Sequence, residues 1–210
     1  MRLLNFVAIS FCALTSAGCG PSLQQAPTVP RSLAGHWIAD ASACKEIDAR
    51  LQAALNSAQE KEFSNARRRA IRHSDRDQLL SEPHGEPDSW EVREQHEQYQ
   101  ALFEAIRPAA ELEIAQEQGQ IQFSSNHAAK RTFEIGTNSV LVTTFAHLRI
   151  QSGWQNDEFV VYSKDGTSGI DVMERYRIRS DGSLLMAVTM SVKYMQTQQY
   201  TLVYHKSRAT

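Results

Sequence analysis

Hydrophobic positions along the chain change their spacing twice. Leu3 to Leu14 is a nearly unbroken apolar run, with polar breaks only at Asn5 and Ser10. From residue 43 to about residue 107, apolar residues recur at helical steps of three and four. Ile47, Leu51, Ala54, Leu55, Ala58, Phe63 and Ala66 share one face. Glu46 precedes Arg50 by one turn, the order that supports an exposed helix face. Gly85 and Pro87 interrupt the pattern, and Asp88 with Glu91 then forms a capping-box start for a second helix. Its apolar face is Val92, Tyr99, Leu102, Phe103 and Ile106, and Pro108 ends it.

Beyond Glu111 the period shortens to two. Leu112-Glu113-Ile114 alternates, Gln118-Gly119 turns, and Ile121-Gln122-Phe123 alternates back. Further strand signals centre on Phe133–Ile135, Val140–Val142, Leu148–Ile150 and Phe159–Tyr162. Val172, Glu174, Tyr176 and Ile178 then alternate with Met173, Arg175, Arg177 and Arg179. Ser180-Asp181-Gly182 is a hairpin turn, with strands at Leu184–Met190 and Tyr200–Tyr204 after it. About eight short strands at near-regular spacing predict an antiparallel meander that closes into a barrel or folds over itself. The fold class is therefore α+β, with a helical pair at about 43–107 inserted after the first strand.

The amino terminus reads as an address. Arg2 supplies a positive charge, the run to Leu14 is the short apolar core, and small residues lead to Cys19. That run falls short of the ~18–20 residues that cross a bilayer as a helix. Ala17-Gly18-Cys19 resembles the lipobox of bacterial lipoproteins, with Ser16 where the family usually has an aliphatic residue. The resemblance implies that 1–18 is a lipoprotein signal peptide, and that Cys19 becomes the acylated first residue and anchors the chain to a membrane. Cleavage after Ala17, leaving an unlipidated periplasmic protein, is the alternative. Gly20 stands after Cys19, where Asp is absent, and by resemblance to enteric lipoprotein sorting this favours the outer membrane, facing the periplasm.

Residues 19–34, with Pro21, Pro27 and Pro30 and no periodicity, read as a flexible tether. Residues 35–206 form the domain. The formal charge of −2 gives no electrostatic footprint for nucleic acid. Of the three cysteines, Cys12 leaves with the signal; if Cys19 carries lipid, Cys44 has no intramolecular partner and reads as a small buried apolar residue.

Gly35-His36-Trp37 resembles the G-x-W of the first lipocalin strand. Gly153-Trp154, the Phe159–Tyr162 strand, Glu174-Arg175-Tyr176 and the Asp181-Gly182 hairpin resemble uncharacterised lipocalin-like proteins of bacterial envelopes. The likeness spans 35–40 and 111–206 and leaves the helical insertion outside. It implies a barrel with Gly35 and Trp37 at its base and an apolar or amphipathic ligand.

Catalytic signatures are missing. The sequence holds no G-x-S-x-G, H-E-x-x-H, C-x-x-C or EF-hand loop, and no Gly-rich loop between a strand and a helix. No cofactor, metal site or catalytic residue is expected. Glu82, His84, Glu94, His96 and Glu97 make the densest imidazole–carboxylate neighbourhood, which a solvated helix face explains. Asp157, Glu158, Asp171 and Glu174 lie beside strands and read as strand-end charges. Arg68, Arg72 and Arg76 share a helix edge within an arginine cluster. They are candidates for docking anionic lipid or an acidic partner, against the alternative of a solvated face balanced by Glu60, Glu62, Asp75 and Asp77. The expected function is that of a membrane-tethered envelope lipoprotein, a non-enzymatic binding module for an apolar or amphipathic ligand. The alternative is an assembly lipoprotein whose helical insertion binds another envelope component.

Overall fold

The computed structural model describes residues 32–77, 100, 103, 104, 106–126, 130–142, 147–165, 169–193 and 195–207; within these, the side chains of 62, 63, 66, 67, 69–77, 138–142, 147 and 148 are not described. Packing begins at Leu33, which is fully buried although the tether was expected to run to residue 34. Its carbonyl accepts a 2.9 Å hydrogen bond from the indole Nε1 of Trp37.

The chain runs β1 (Gly35–Ala39), α1 (Ala41–Asp77), β2 (Glu111–Glu117), β3 (Gln120–Ser125), β4 (Arg131–Glu134) and β5 (Thr137–Val142). It continues through β6 (His147–Gln155), β7 (Glu158–Asp165), β8 (Ile170–Ile178), β9 (Leu184–Ser191) and β10 (Gln198–Lys206). All ten strands belong to one sheet in the order β4-β3-β2-β1-β10-β9-β8-β7-β6-β5, and every pair is antiparallel. The α+β antiparallel meander expected from the alternation is therefore present, with ten strands in place of about eight. Each strand signal named along the chain has its own strand, with Phe133 on β4 and Val140–Val142 within β5, so the signals themselves were more numerous than the count of about eight.

Two turns explain the register. Gly119 (φ +86°) joins β2 to β3, and Gly182 (φ +80°) joins β8 to β9, each in the left-handed region that favours glycine. At the second turn, Ser183 N and Oγ both donate to Asp181 Oδ1, at 2.9 and 2.5 Å. Those bonds, the larger from the Ser183 side chain, hold the Asp181 carboxyl below its ordinary range.

The two ends of the sheet, β4 and β5, are consecutive in the chain and joined only by Ile135-Gly136, yet they do not pair. The sheet curls instead until β4 meets β6. Ser152 Oγ donates to Glu134 O (2.8 Å), and Gly136 N donates to Ser152 O (2.7 Å). The result is a barrel with one seam left unladdered between β4 and β5. Inward positions of opposite walls touch across it. Phe123 on β3 lies 4.6 Å from Tyr176 on β8 and 6.1 Å from Phe159 on β7, ring centre to ring centre.

The insertion opens with Asp40 as N-cap, its Oδ1 accepting from Ser42 N at 2.8 Å. Cys44, Leu51, Leu55 and Ala58 form the buried stripe of α1, as the periodicity required. Arg50 Nη2 donates to Gln199 O on β10, which ties the first turns of α1 to the barrel. The helix continues to Asp77; the expected second helix is described only at residues 100, 103, 104 and 106, and its capping box at Asp88 and Glu91 lies outside the described residues. No described helix is long and apolar enough to cross a membrane.

Candidate functional site

Inside the barrel, alternation along β8 puts Val172, Glu174 and Tyr176 on the inward face. Glu174 is thereby carried into the core, with 2 % of its side chain exposed. Strand-end solvation, the expected reading of this residue, does not describe it. The partner arrives from the opposite wall: Arg131, first residue of β4, extends its guanidinium across the barrel. Nη1 and Nη2 donate to Glu174 Oε1 and Oε2 at 2.8 and 2.9 Å, a two-pronged ion pair. Tyr176 OH donates to the same carboxylate at 2.6 Å. The guanidinium carbon lies 5.4 Å from the Phe133 ring centre and 6.0 Å from that of Phe123. Burial disfavours the charge on Arg131, but the Glu174 carboxylate more than offsets this and holds the guanidinium protonated beyond its ordinary range.

Beside this pair is a cavity of about 20 Å³, bordered by Ile106, Phe123, Arg131, Tyr176, Met186 and Tyr204. A space of that size holds roughly one water. Trp154, Phe159, Val161, Leu184 and Val188 are among the buried side chains.

The wall of the cavity nearest the helices is pinned to β10. Tyr200 OH donates to Ile106 O, and Tyr204 OH donates to Ala109 O at 3.0 Å. Arg107 in the same segment grips Asp48 of α1 through two bonds of 2.9 and 2.7 Å. Burial pushes the phenols of Tyr176, Tyr200 and Tyr204 above their ordinary range. On the outer face, burial and then the hydrogen bond to Asp171 push Tyr162 up to about 12. An unfolded tyrosine ionises near pH ~10. Above that pH the folded state holds more protons than the unfolded state, so stability declines as pH rises. The contribution of Tyr162 is complete below about pH 10 and lost as pH climbs through about 12. Urea unfolding midpoints measured across that window are expected to fall, and Tyr162→Phe is expected to flatten the fall. A wild-type midpoint unchanged to pH ~12 would contradict the assignment.

The structure scatters the residues singled out by sequence. Trp37 is inward on β1, with 2 % of its surface exposed, and Lys206 Nζ lies 5.7 Å from its ring centre. Gly35 takes φ +152°, a backbone conformation that residues with a side chain rarely adopt, while the atom nearest an added Cβ, Lys206 Cε at 2.9 Å, belongs to a flexible side chain that can move aside. Arg68 is exposed on α1, while Arg72 and Arg76 belong to the same helix without described side chains. Cys19 and the cluster of Glu82, His84, Glu94, His96 and Glu97 lie outside the described residues. Cys44 is buried, and burial, with Asp40 and Asp48 nearby, raises its thiol above the ordinary range. Among the described residues no group of His, Cys, Asp and Glu gathers as metal ligands. Glu158, read as a strand-end charge, bonds Arg175 at 3.0 Å on the outer face.

Sequence reasoning missed the Arg131–Glu174–Tyr176 cluster. Half of it was visible: Glu174 occupies the apolar phase of the Val172–Ile178 alternation, which is the signal of a buried carboxylate needing a partner. Nothing local marks Arg131, because its partner is on a strand six places away in the sheet order.

No family model matches the chain, and no curated protein matches it. Among solved structures it is similar to human cRBP IV, at 11 % identity and a TM-score of 0.40 over 85 % of this chain and 100 % of that one. It is similar to lipid binding protein 8 of Caenorhabditis elegans at 16 % identity and a TM-score of 0.38, covering 46 % of this chain and 70 % of the other. The fatty-acid-binding protein 1 of Echinococcus granulosus gives 14 % identity and a TM-score of 0.34, covering 47 % and 71 %. Likenesses of this degree carry no weight for function, and the architecture rests on strand order and register alone.

Proposed function

We propose that this chain is a membrane-tethered envelope lipoprotein whose barrel is a non-enzymatic binding module for a small amphipathic ligand. The observation that carries the binding reading is the polar cluster of Arg131, Glu174 and Tyr176, of which Arg131 and Tyr176 border a cavity inside a mainly apolar barrel. Apolar walls with a few convergent polar groups are the general chemistry of ligand pockets. The cavity is far smaller than the ~300 Å³ at which ligand pockets begin, so a ligand of any length must displace side chains as it enters. The unladdered seam between β4 and β5 carries no strand-pair ladder, and the bonds described across it are those of Ser152 with Glu134 and Gly136, so the wall is weakest there. The tether rests on the charged start, apolar core and Ala17-Gly18-Cys19 of the sequence.

The small size of this cavity favours a second reading, in which the protein assembles with another envelope component through its helical insertion, Arg68 being exposed on it. One experiment addresses both. Protein extracted from its own envelope is expected to show, by native mass spectrometry, a chain beginning at acylated Cys19 and carrying a small noncovalent ligand. A co-purifying protein with no small ligand would favour assembly. A chain beginning at Gly18 without acyl mass would remove the anchor.

A further inference from the structure

We infer that the barrel interior selects an amphiphile with an uncharged, hydrogen-bonding head group, a long-chain alcohol being the simplest, and rejects the matching carboxylate. The inference rests on the binding reading above and names its ligand class. Arg131 would ordinarily mark an interior as a receptor for an anionic head. Here the fork is already occupied: both terminal nitrogens donate to Glu174, at 2.8 and 2.9 Å, and Tyr176 fills a third approach to the same carboxylate at 2.6 Å. The aromatic rings of Phe123 and Phe133 lie against the guanidinium. The pair is neutral as a unit.

An incoming carboxylate has two places to go, and both are unfavourable. If it displaces Glu174 from Arg131, it strands a carboxylate that is 2 % exposed, away from water and from its counter-charge. If it settles beside the intact pair, it carries an unpaired charge out of water to a place where the Arg131 charge is already neutralised by Glu174. A hydroxyl meets neither penalty. It brings no charge into the interior, accepts from an N–H of the guanidinium and donates to an oxygen of Glu174, so its own hydrogen bonds are replaced as it leaves water. Glu174 is on this account the specificity-determining residue. It keeps Arg131 from acting as an anion receptor.

The test compares dodecan-1-ol with dodecanoate, both below their aggregation limits, by calorimetric titration of the full chain. Wild type is expected to bind the alcohol at least ~10-fold more tightly, since a single charge-assisted contact made or lost is worth about that factor. Glu174→Gln removes the resident charge and is expected to reverse the order, with dodecanoate gaining at least ~10-fold. Should that variant not fold, the double replacement Arg131→Leu/Glu174→Leu removes the pair without stranding a charge, and it is expected to bind the alcohol at least ~10-fold more weakly because both partners of the hydroxyl are gone; unchanged alcohol affinity overturns the inference. Dodecanoate binding to wild type as tightly as the alcohol overturns the inference and leaves the binding reading standing. Binding of neither probe overturns both.

Discussion

Glu174→Ala is expected to lower the unfolding free energy by about 3 kcal/mol, the lower end of the ~3–5 kcal/mol typical of a buried ion pair broken on one side. The lower end applies because Arg131 keeps 23 % of its side chain exposed and water can reach part of the stranded guanidinium. Two further losses follow, since Tyr176 OH forfeits its 2.6 Å acceptor and the barrel gains a hole beside a cavity that already exists. The informative comparison is the double replacement of Arg131 and Glu174 by leucine. Apolar residues of similar volume cost no desolvation, so the double variant is expected to be close to wild type in stability, well short of the sum of the two single changes. Denaturant unfolding of wild type, Arg131→Leu, Glu174→Leu and the double leucine variant measures this directly. Additive losses would mean that the two side chains stabilise the barrel independently, and the ion pair would lose its place as the organising contact of the interior.

Trp37→Ala is expected to cost roughly 3–5 kcal/mol, the range for truncating a large buried aromatic. The indole does two jobs. It fills the barrel beside β2 and β10, which flank β1 in the sheet, and its Nε1 holds the carbonyl of Leu33 at 2.9 Å. The alanine variant therefore leaves a void and also releases a buried carbonyl, and Leu33, fully buried, loses the anchor that keeps it packed. An intermediate change separates the two effects: Trp37→Phe keeps most of the volume and loses the donor, and it is expected to fall between wild type and alanine. A midpoint for Trp37→Ala within error of wild type would take this residue out of the core and with it the expectation that the G-x-W start anchors the barrel.

Period and turn chemistry made most of the architecture legible before any coordinates. Alternation from Glu111 onward required strands, and Gly119 and Gly182 marked turns that only a residue free to adopt positive φ takes easily. The stripe Leu51, Leu55 and Ala58 required a helix face that something must cover. These are local constraints, set by neighbours within a few positions, and they determine strands, turns and helix independently of what lies across the barrel. The tertiary structure alone decided the closure and the interior. Strand order brings β4 opposite β8, so Arg131 meets Glu174 across 43 positions of sequence, a distance over which no periodicity carries information. The cavity is likewise a property of packing, because Phe123, Met186 and Tyr204 come from three strands and their summed shapes, not their sequence positions, set the space left over. The alternation could say that a carboxylate at 174 points inward; only the curl of the sheet determined which cation neutralises it.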